Sequence, residues 1–262
     1  MPRKEVDETV GRLERTKIDK RRIRKKRSED LSAVEAVFDR STLLTLYYLI
    51  NSGVINELFG VISTGKEANV YWAKGEDEEE YAVKIYRTTT ADFKRMLVYV
   101  QGDPRFKRVK KDTRSLIYTW ATKEFKNLTR AYDAGVRVPK PVAVRKNVLV
   151  MEFIGGDGIP APRLKDKEPR NPRAILSTIL KYVRSLYQTA RLVHADLSEY
   201  NILIWDEPVI IDVSQAVLVQ HPLAQEFLFR DIKNVLRYFH SLVDDLPDPE
   251  TVYRRIIGGK TK

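Results

Sequence analysis

The sequence predicts an α+β chain folded in two lobes, an antiparallel sheet with one long helix first and a mostly helical lobe after it. Three observations predict this. Runs rich in β-branched and aromatic residues, Val61–Tyr71, Tyr81–Tyr86 and Val142–Ile154, gather in the first half around one long helical pattern, Arg114–Asp133. The last of these runs ends in Gly155-Gly156, the glycine break expected at a hinge between lobes. Beyond it, helical spacing dominates over Ala174–Ala190, Phe227–Asp244 and Pro249–Ile257.

The bulk composition allows such a body. With 262 residues, 43% of them hydrophobic and 10% aromatic, the chain can bury a full core. It has no cysteine, which excludes disulfides, thiol catalysis and thiolate metal sites, and its three histidines make a zinc site a poor fit. No apolar run approaches the length of a membrane span, and the opening Met-Pro-Arg-Lys-Glu lacks a signal-peptide core, so a cytoplasmic protein with no membrane partner is expected. The net charge of +11 favours a polyanionic partner.

Taken in order, residues 1–30 read as a basic tail or frayed helix, with seven basic residues in the eight of Lys20–Arg27. Residues 31–59 form a helical extension, with Val34, Val37 and Phe38 at helical steps, then Ser41 capping a second helix over Leu43–Ile50 and Gly53 stopping it. Residues 60–152 make the first lobe. Ser63-Thr-Gly65-Lys-Glu-Ala68-Asn-Val70 reads as strand, turn, strand, and Ala82-Val83-Lys84 lies on the next strand. Lys84 needs a carboxylate. Glu124 falls on the apolar stripe of Leu116, Trp120, Leu128 and Tyr132, where an unpaired charge is costly, so Glu124 is its expected partner. Between them lies an inserted loop, 87–113, rich in Thr, Lys and Arg, with a short helix at Phe93–Val100. Residues 153–262 make the second lobe, in which the Pro- and Lys-rich stretch Pro160–Pro172 leads to its first helix.

The chemistry concentrates at Leu192–Asp212. Ile202–Trp205 and Val209–Ile211 read as a hairpin around Pro208, which sets Asn201 at one strand's entry beside Asp212 at its partner's exit, with Asp196 on the loop upstream. The spacing His194-x-Asp196-x-x-x-x-Asn201 followed by a second Asp is the catalytic-loop and metal-site pattern of protein-kinase-like phosphotransferases. Moving a γ-phosphoryl group calls for a carboxylate near the attacking hydroxyl and hard oxygen ligands for Mg²⁺. In that frame Ser63, Gly65 and Ala68 take the positions of a glycine-rich phosphate loop, and Lys84 takes that of the phosphate-pairing strand lysine. Backbone groups at Glu152 and Ile154, next to Met151, would read the edge of adenine.

These pieces together closely resemble the RIO family of atypical serine/threonine protein kinases, in particular its type-one subfamily. The resemblance rests on Ser63-Thr-Gly-Lys-Glu-Ala68, Ala82-Val-Lys84-Ile-Tyr, His194-Ala-Asp196-Leu-Ser-Glu-Tyr-Asn201-Ile-Leu and Ile211-Asp212, and spans roughly residues 35–255. It implies a reduced two-lobe protein-kinase-like fold, ATP with Mg²⁺ (or Mn²⁺ in its place), kinase and ATPase activity with autophosphorylation, and a role in maturation of the small ribosomal subunit, with rRNA or the pre-ribosomal particle met through the basic segments. It makes Asp196 the catalytic carboxylate and Asn201 and Asp212 the metal ligands. Lys84 would pair with Glu124, and the loop from Ser63 through Thr64, Gly65, Lys66, Glu67, Ala68 and Asn69 to Val70 would cover the phosphates. Asp212 could also accept phosphate itself. Asp212 is followed by Val-Ser where ordinary kinases have Phe-Gly, and no Ala-Pro-Glu follows, so no activation loop or peptide platform is expected. The alternatives are an aminoglycoside-type small-molecule kinase, which would need a larger substrate-holding insert after the hinge, and an RNA-binding assembly factor with a low-turnover nucleotide site.

Overall fold

Alternating β-branched and aromatic residues build the first lobe around one antiparallel sheet. The computed structural model describes residues 38–88, 93–100, 103–106 and 112–258. The basic run Lys20–Arg27, the first expected helix around Val34 and Val37, Thr89-Thr90, the basic cluster Lys107–Lys111 and the tail past Gly258 lie outside the described residues.

The chain divides into two units, 1–47 and 48–262. In the first, the described residues open helix α1 (Arg40–Asn51), whose cap is Asp39 and not Ser41: the Thr42 N–H donates to Asp39 Oδ1 at 2.9 Å.

In the second unit, strands β1 (Glu57–Thr64), β2 (Ala68–Lys74), β3 (Glu80–Tyr86), β4 (Pro141–Arg145) and β5 (Val148–Glu152) form one antiparallel sheet in the order β1-β2-β3-β5-β4. The central place of β3 keeps Ala82 to Tyr86 buried, Lys84 included. The insert carries helix α2 (Phe93–Val100), at the bounds the sequence predicts, and its Met96 and Val100 pack with Leu116, Ile117 and Trp120 of the long helix α3 (Thr113–Asp133). One member of the predicted stripe of α3 does not belong to it. Tyr132 is 44% exposed, because each four-residue step turns the helix by about 40° and the stripe has rotated off the core by its last turn.

The second lobe starts with a tight hairpin of β6 (Gly155–Gly156) and β7 (Ile159–Pro160). Asp157 and Gly158 at its tip both have positive φ, 53° and 74°, the type I′ geometry that Asp-Gly favours. Helix α4 (Pro172–Ser185) follows, and the helical pattern read over Ala174–Ala190 finishes as a wider π-type turn, Leu186–Ala190. Then come β8 (Leu192–Val193), the hairpin β9 (Ile202–Ile204) and β10 (Pro208–Ile210), and β11 (Val217–Leu218), which pairs with β8. Helix α5 spans Ala224–Phe239, starting and ending earlier than the Phe227–Asp244 the periodicity suggests; at its start the Leu223 N–H donates to His221 Nδ1 at 3.2 Å and the Leu223 carbonyl accepts from the Phe227 N–H at 3.0 Å. Helix α6 (Pro249–Ile257) matches its expected range, with Asp248 as its cap. Leu192, Val193, Leu197, Ile202, Ile210, Val213, Leu228 and Ile232 share one core, so the loop and hairpin that carry the polar motif are seated directly on it. Among the described residues no helix is long and apolar enough to cross a membrane.

Candidate active site

The site lies in a cleft of about 940 Å³ whose walls come from the β1–β2 turn, β3, the hinge after β5 and the hairpin β9–β10. At its back, Lys84 Nζ lies 2.9 Å from Glu124 Oε1 and 2.8 Å from Asp212 Oδ1. The ammonium is buried on the central strand, Glu124 is 1% exposed on the sheet-facing side of α3, and Asp212 follows β10. Tyr86 OH also donates to Glu124, through Oε2. Burial alone would lower the pKa of Lys84, but Asp212 and Glu124 reverse that and hold it well above the ordinary lysine value. Burial pushes the Glu124 carboxyl above the glutamate range, against the pull of Lys84. For Asp212, whose side chain is 46% open to the cleft, partial desolvation works upward too, yet the Lys84 ammonium and the Ser214 hydroxyl win and hold it down to about 2. The lysine thus serves two carboxylates, one more than the sequence predicts.

Asp212 has a left-handed backbone, φ 57°, a strain that a non-glycine residue keeps only where its surroundings enforce it. Ser214 Oγ donates to its Oδ1 at 2.8 Å. His194, buried and pushed down to about 4 chiefly by desolvation, is neutral, so its Nε2 donates to the Ile211 carbonyl at 3.1 Å and ties the loop that carries Asp196 to the residue before Asp212. Ala195, between His194 and Asp196, is also left-handed at φ 66°. Asp196 is exposed, and its Oδ2 accepts from Gln215 Nε2 at 3.1 Å, Gln215 being one of the residues that wall the cleft. Asn201 stands beside Asp212 as the hairpin reading requires: Ile202 pairs with Ile210, and the Ile211 N–H donates to the Asn201 carbonyl at 3.0 Å.

These residues fit a divalent metal. Asn201 Nδ2 is engaged with the Asp196 carbonyl at 2.8 Å, which orients the amide and keeps its oxygen as an acceptor. The bonds from Lys84 and Ser214 both fall on Asp212 Oδ1. One amide oxygen and one carboxylate in a shared cleft are the sparse, hard donor set that Mg²⁺ accepts when phosphates complete its shell. Among the described residues no cluster of three or more His, Asp or Glu side chains could hold a metal by itself.

Of the predicted phosphate cover, Ser63, Thr64, Gly65, Lys66, Glu67, Ala68 and Val70 wall the cleft. The turn is closed by the Gly65 N–H donating to the Ala68 carbonyl at 2.9 Å. Asn69 is the exception. Side chains alternate along β2, so it stands on the opposite face from Ala68 and Val70 and accepts from Arg87 Nη2 at 3.3 Å. At the hinge, Met151, Glu152 and Ile154 all line the cleft. The Ile154 carbonyl accepts from the Ala161 N–H at 2.9 Å, and the Glu152 carboxylate is held by Arg137 in a two-pronged pair at 2.7 and 2.8 Å. Glu80 fastens the hinge hairpin to the sheet, accepting from Trp72 Nε1 and the Gly158 N–H, each at 2.8 Å.

Several residues that shape the site carry no motif. Asp231 of α5, 1% exposed, accepts from the Ala195 N–H at 2.8 Å and the Leu197 N–H at 2.9 Å, gripping the backbone on both sides of Asp196, and burial pushes its carboxyl up to about 7. Lys123 of α3 is fully buried and donates to the Ser214 and Ala216 carbonyls at 2.7 and 2.6 Å. Burial and the nearby Arg105 guanidinium hold it well below an ordinary lysine. Asn127, one turn on, donates to the Val213 and Ala216 carbonyls at 2.9 and 3.0 Å. The signal that finds Glu124 finds these as well: Asp231 lies one turn from Phe227 and from Val235 on the apolar face of α5.

Comparison with known proteins decides the family. The RIO domain model matches residues 69–252, most of the chain. The chain belongs to the RIO family of atypical serine/threonine protein kinases. Family members with high similarity include the RIO-type serine/threonine-protein kinase Rio1 of Haloferax volcanii, 44% identical over 256 residues that cover 96% of this chain and 88% of the relative. The protein of the same name in Methanocaldococcus jannaschii is 46% identical, covering 80% of this chain and 72% of its own. The human serine/threonine-protein kinase RIO1 is 45% identical over 80% of this chain but only 38% of its own length. The Rio2 kinase of Chaetomium thermophilum, solved as an ADP/Mg²⁺-phosphoaspartate complex, superposes with a TM-score of 0.63 at 22% identity, covering 82% of this chain and 66% of that one, which supports the two-lobe RIO kinase fold. Membership in this kinase family implies use of ATP and a divalent metal.

Proposed function

We propose that this RIO kinase transfers the γ-phosphoryl group of ATP to serine or threonine hydroxyls, its own included, with Mg²⁺ as the physiological ion and Mn²⁺ as a working substitute. The observation that carries the reading is Lys84 held between Glu124 and Asp212 in a cleft that also meets Asn201 and, through Gln215, Asp196. Lys84 pairs with the α- and β-phosphates, positioned for this by Glu124. Asn201 and Asp212 would hold the metal, which would supply positive charge to neutralise the phosphate oxygens. The Gly65 turn covers the triphosphate with small side chains and backbone. At the hinge, the Ile154 N–H and the Glu152 carbonyl meet the adenine edge, a reading helped by the Ile154 carbonyl being engaged with Ala161.

In the transfer, Asp196 accepts the hydrogen bond of the incoming hydroxyl and takes its proton as the oxygen–phosphorus bond forms and the bond to the leaving ADP oxygen breaks. With water as the acceptor the same arrangement hydrolyses ATP. The family resemblance adds a covalent route in which an Asp212 oxygen attacks the γ-phosphorus, releases ADP, and is later freed by water. Asp212 is ionised far below neutral pH, so the carboxylate for that attack is present. A role in small-ribosomal-subunit maturation in the cytoplasm, with rRNA contacts through Lys20–Arg27 and Lys107–Lys111, follows the resemblance and the +11 charge.

The test is Asp196→Ala. With [γ-³²P]ATP and Mg²⁺, the variant is expected to lose phosphate transfer to protein and to water while still binding ATP. Transfer at the wild-type rate overturns the assignment.

A further inference from the structure

Described residues of the insert contact the helix that holds this site from behind. Asp103, just before the turn Pro104–Phe106, and Arg105, within it, belong to the insert, and both are largely shielded from solvent. Arg105 is gripped by Asp103: Nε lies 3.0 and 3.1 Å from the two carboxylate oxygens and Nη2 lies 2.7 Å from Oδ2. That grip fixes the plane of the guanidinium and leaves Nη1 to donate to Asn127 Oδ1 at 2.9 Å.

The contact has a consequence for the amide. An asparagine amide can turn half a revolution and exchange its oxygen for its nitrogen, and Arg105 has donors only. Arg105 on one side and the Val213 and Ala216 carbonyls on the other therefore fix the amide together, its oxygen toward Arg105 at 2.9 Å and its NH₂ toward the carbonyls at 2.9 and 3.0 Å. Those carbonyls bracket Ser214 and Gln215, whose side chains donate to Asp212 and Asp196 respectively. Arg105 thus sits three hydrogen-bonded links from both reacting carboxylates. The same insert also reaches the second lobe, with Tyr99 5.6 Å from the Phe227 ring and the Val98 carbonyl 3.2 Å from His221 Nε2.

We propose that Arg105 is a positioning residue for the reaction, helping to set Asn127 so that the turn Val213–Ala216 aims Asp212 and Asp196, and that the Asp103–Arg105 pair does here from the first lobe what an activation segment does in kinases that have one. This rests on the reading of Asp212 as metal ligand. The arrangement explains why Val-Ser-Gln can follow Asp212 without the usual Phe-Gly: its two side chains orient carboxylates, and its backbone is held from α3 and the insert.

The experiment measures consumption of [γ-³²P]ATP by the full chain, with Mg²⁺ and ATP varied independently and thermal unfolding recorded for each variant. Arg105→Ala is expected to lower kcat and raise the half-saturating Mg²⁺ concentration by roughly 10- to 100-fold combined, the scale of losing a supporting partner of a metal ligand, with KM for ATP within about threefold of wild type. Asn127→Ala is expected to do the same, and the double variant to be no worse than either alone. Arg105→Lys keeps charge and stem but cannot span Asp103 and Asn127 together, so it reproduces the defect even where Arg105→Ala folds poorly. Wild-type kcat and Mg²⁺ dependence in folded Arg105→Lys, or losses that multiply in the double variant, overturn the inference. Asp212→Asn separates the two claims. If it is inactive while the Arg105 variants are normal, only the positioning role fails; if it turns over normally, the metal-ligand reading fails.

Discussion

Replacing Asp231 with asparagine tests whether the catalytic loop is held from below. The carboxylate accepts two backbone N–H groups, from Ala195 at 2.8 Å and Leu197 at 2.9 Å, and those residues flank Asp196. Asparagine keeps the shape but has one acceptor, so one N–H loses its partner and faces an NH₂ in a site that is 1% exposed. With both side chains neutral, losing one bond and stranding its buried donor costs about 3 kcal/mol. For a body of this size that lowers Tm by about 6–12 °C. Turnover falls further than stability requires, because a loop allowed to shift by about 1 Å costs on the order of 100-fold in rate. Calorimetry at pH 6, below the raised Asp231 pKa of about 7 so that the carboxyl and the amide are both neutral, paired with steady-state ATP consumption at a temperature where the variant is folded, reads both effects. A Tm and kcat both at the wild-type level in Asp231→Asn would refute the claim that this carboxylate positions Asp196.

His194 gives a pH prediction. Its pKa is lowered from 6.5 to about 4, so below pH 6.5 the unfolded chain takes up a proton that the folded one refuses, and stability drops as pH falls toward 4, by about 3 kcal/mol in all. The difference in urea midpoints between wild type and His194→Gln across pH 7 to pH 4.5 isolates this from Asp231, whose raised pKa acts in the opposite direction; a difference that does not change with pH would sink it. Gly155→Ala is expected to lose several degrees of Tm and to raise KM for ATP more than it lowers kcat, because at φ 151° its Cβ would lie 2.2 Å from the Ile159 carbonyl and push the hinge hairpin away; unchanged KM and Tm would count against the hinge assignment. Glu124→Gln should weaken the hold on Lys84 and cut kcat by at least tenfold with little change in fold, on the general scale of lost supporting partners, as measured by ATP consumption and circular dichroism.

Much of the site was legible because its information is local. The offsets among His194, Asp196, Asn201 and Asp212 survive in one stretch, and a short hairpin converts them into neighbours through the Ile202–Ile210 pair. Glu124 was legible for another reason: a charge at a buried position of a helical stripe must have a partner, and the Lys84 strand offers one. Asp157-Gly158 carried a hairpin signal of the same local kind, which reading the stretch as a plain glycine break overlooked. Asn69 alone of the loop residues turns its side chain from the cleft, because the pleat points every second side chain to the other face, which a motif read position by position does not register.

The sequence alone determined the two-lobe plan, the family and the candidate set Lys84, Glu124, Asp196, Asn201 and Asp212, since these follow from patterns of period two, period 3.6 and short motifs of fixed offset. Only the tertiary structure decided what holds those side chains still. Asp231 comes from thirty-five residues past Asp196 and Arg105 from more than a hundred before Asp212, and whether a buried hydrogen bond forms across such separations depends on how helices pack rather than on any local pattern. For the same reason Lys84 could be assigned one carboxylate from the chain, while its second, Asp212, emerged only where β3 and the hairpin meet across the cleft.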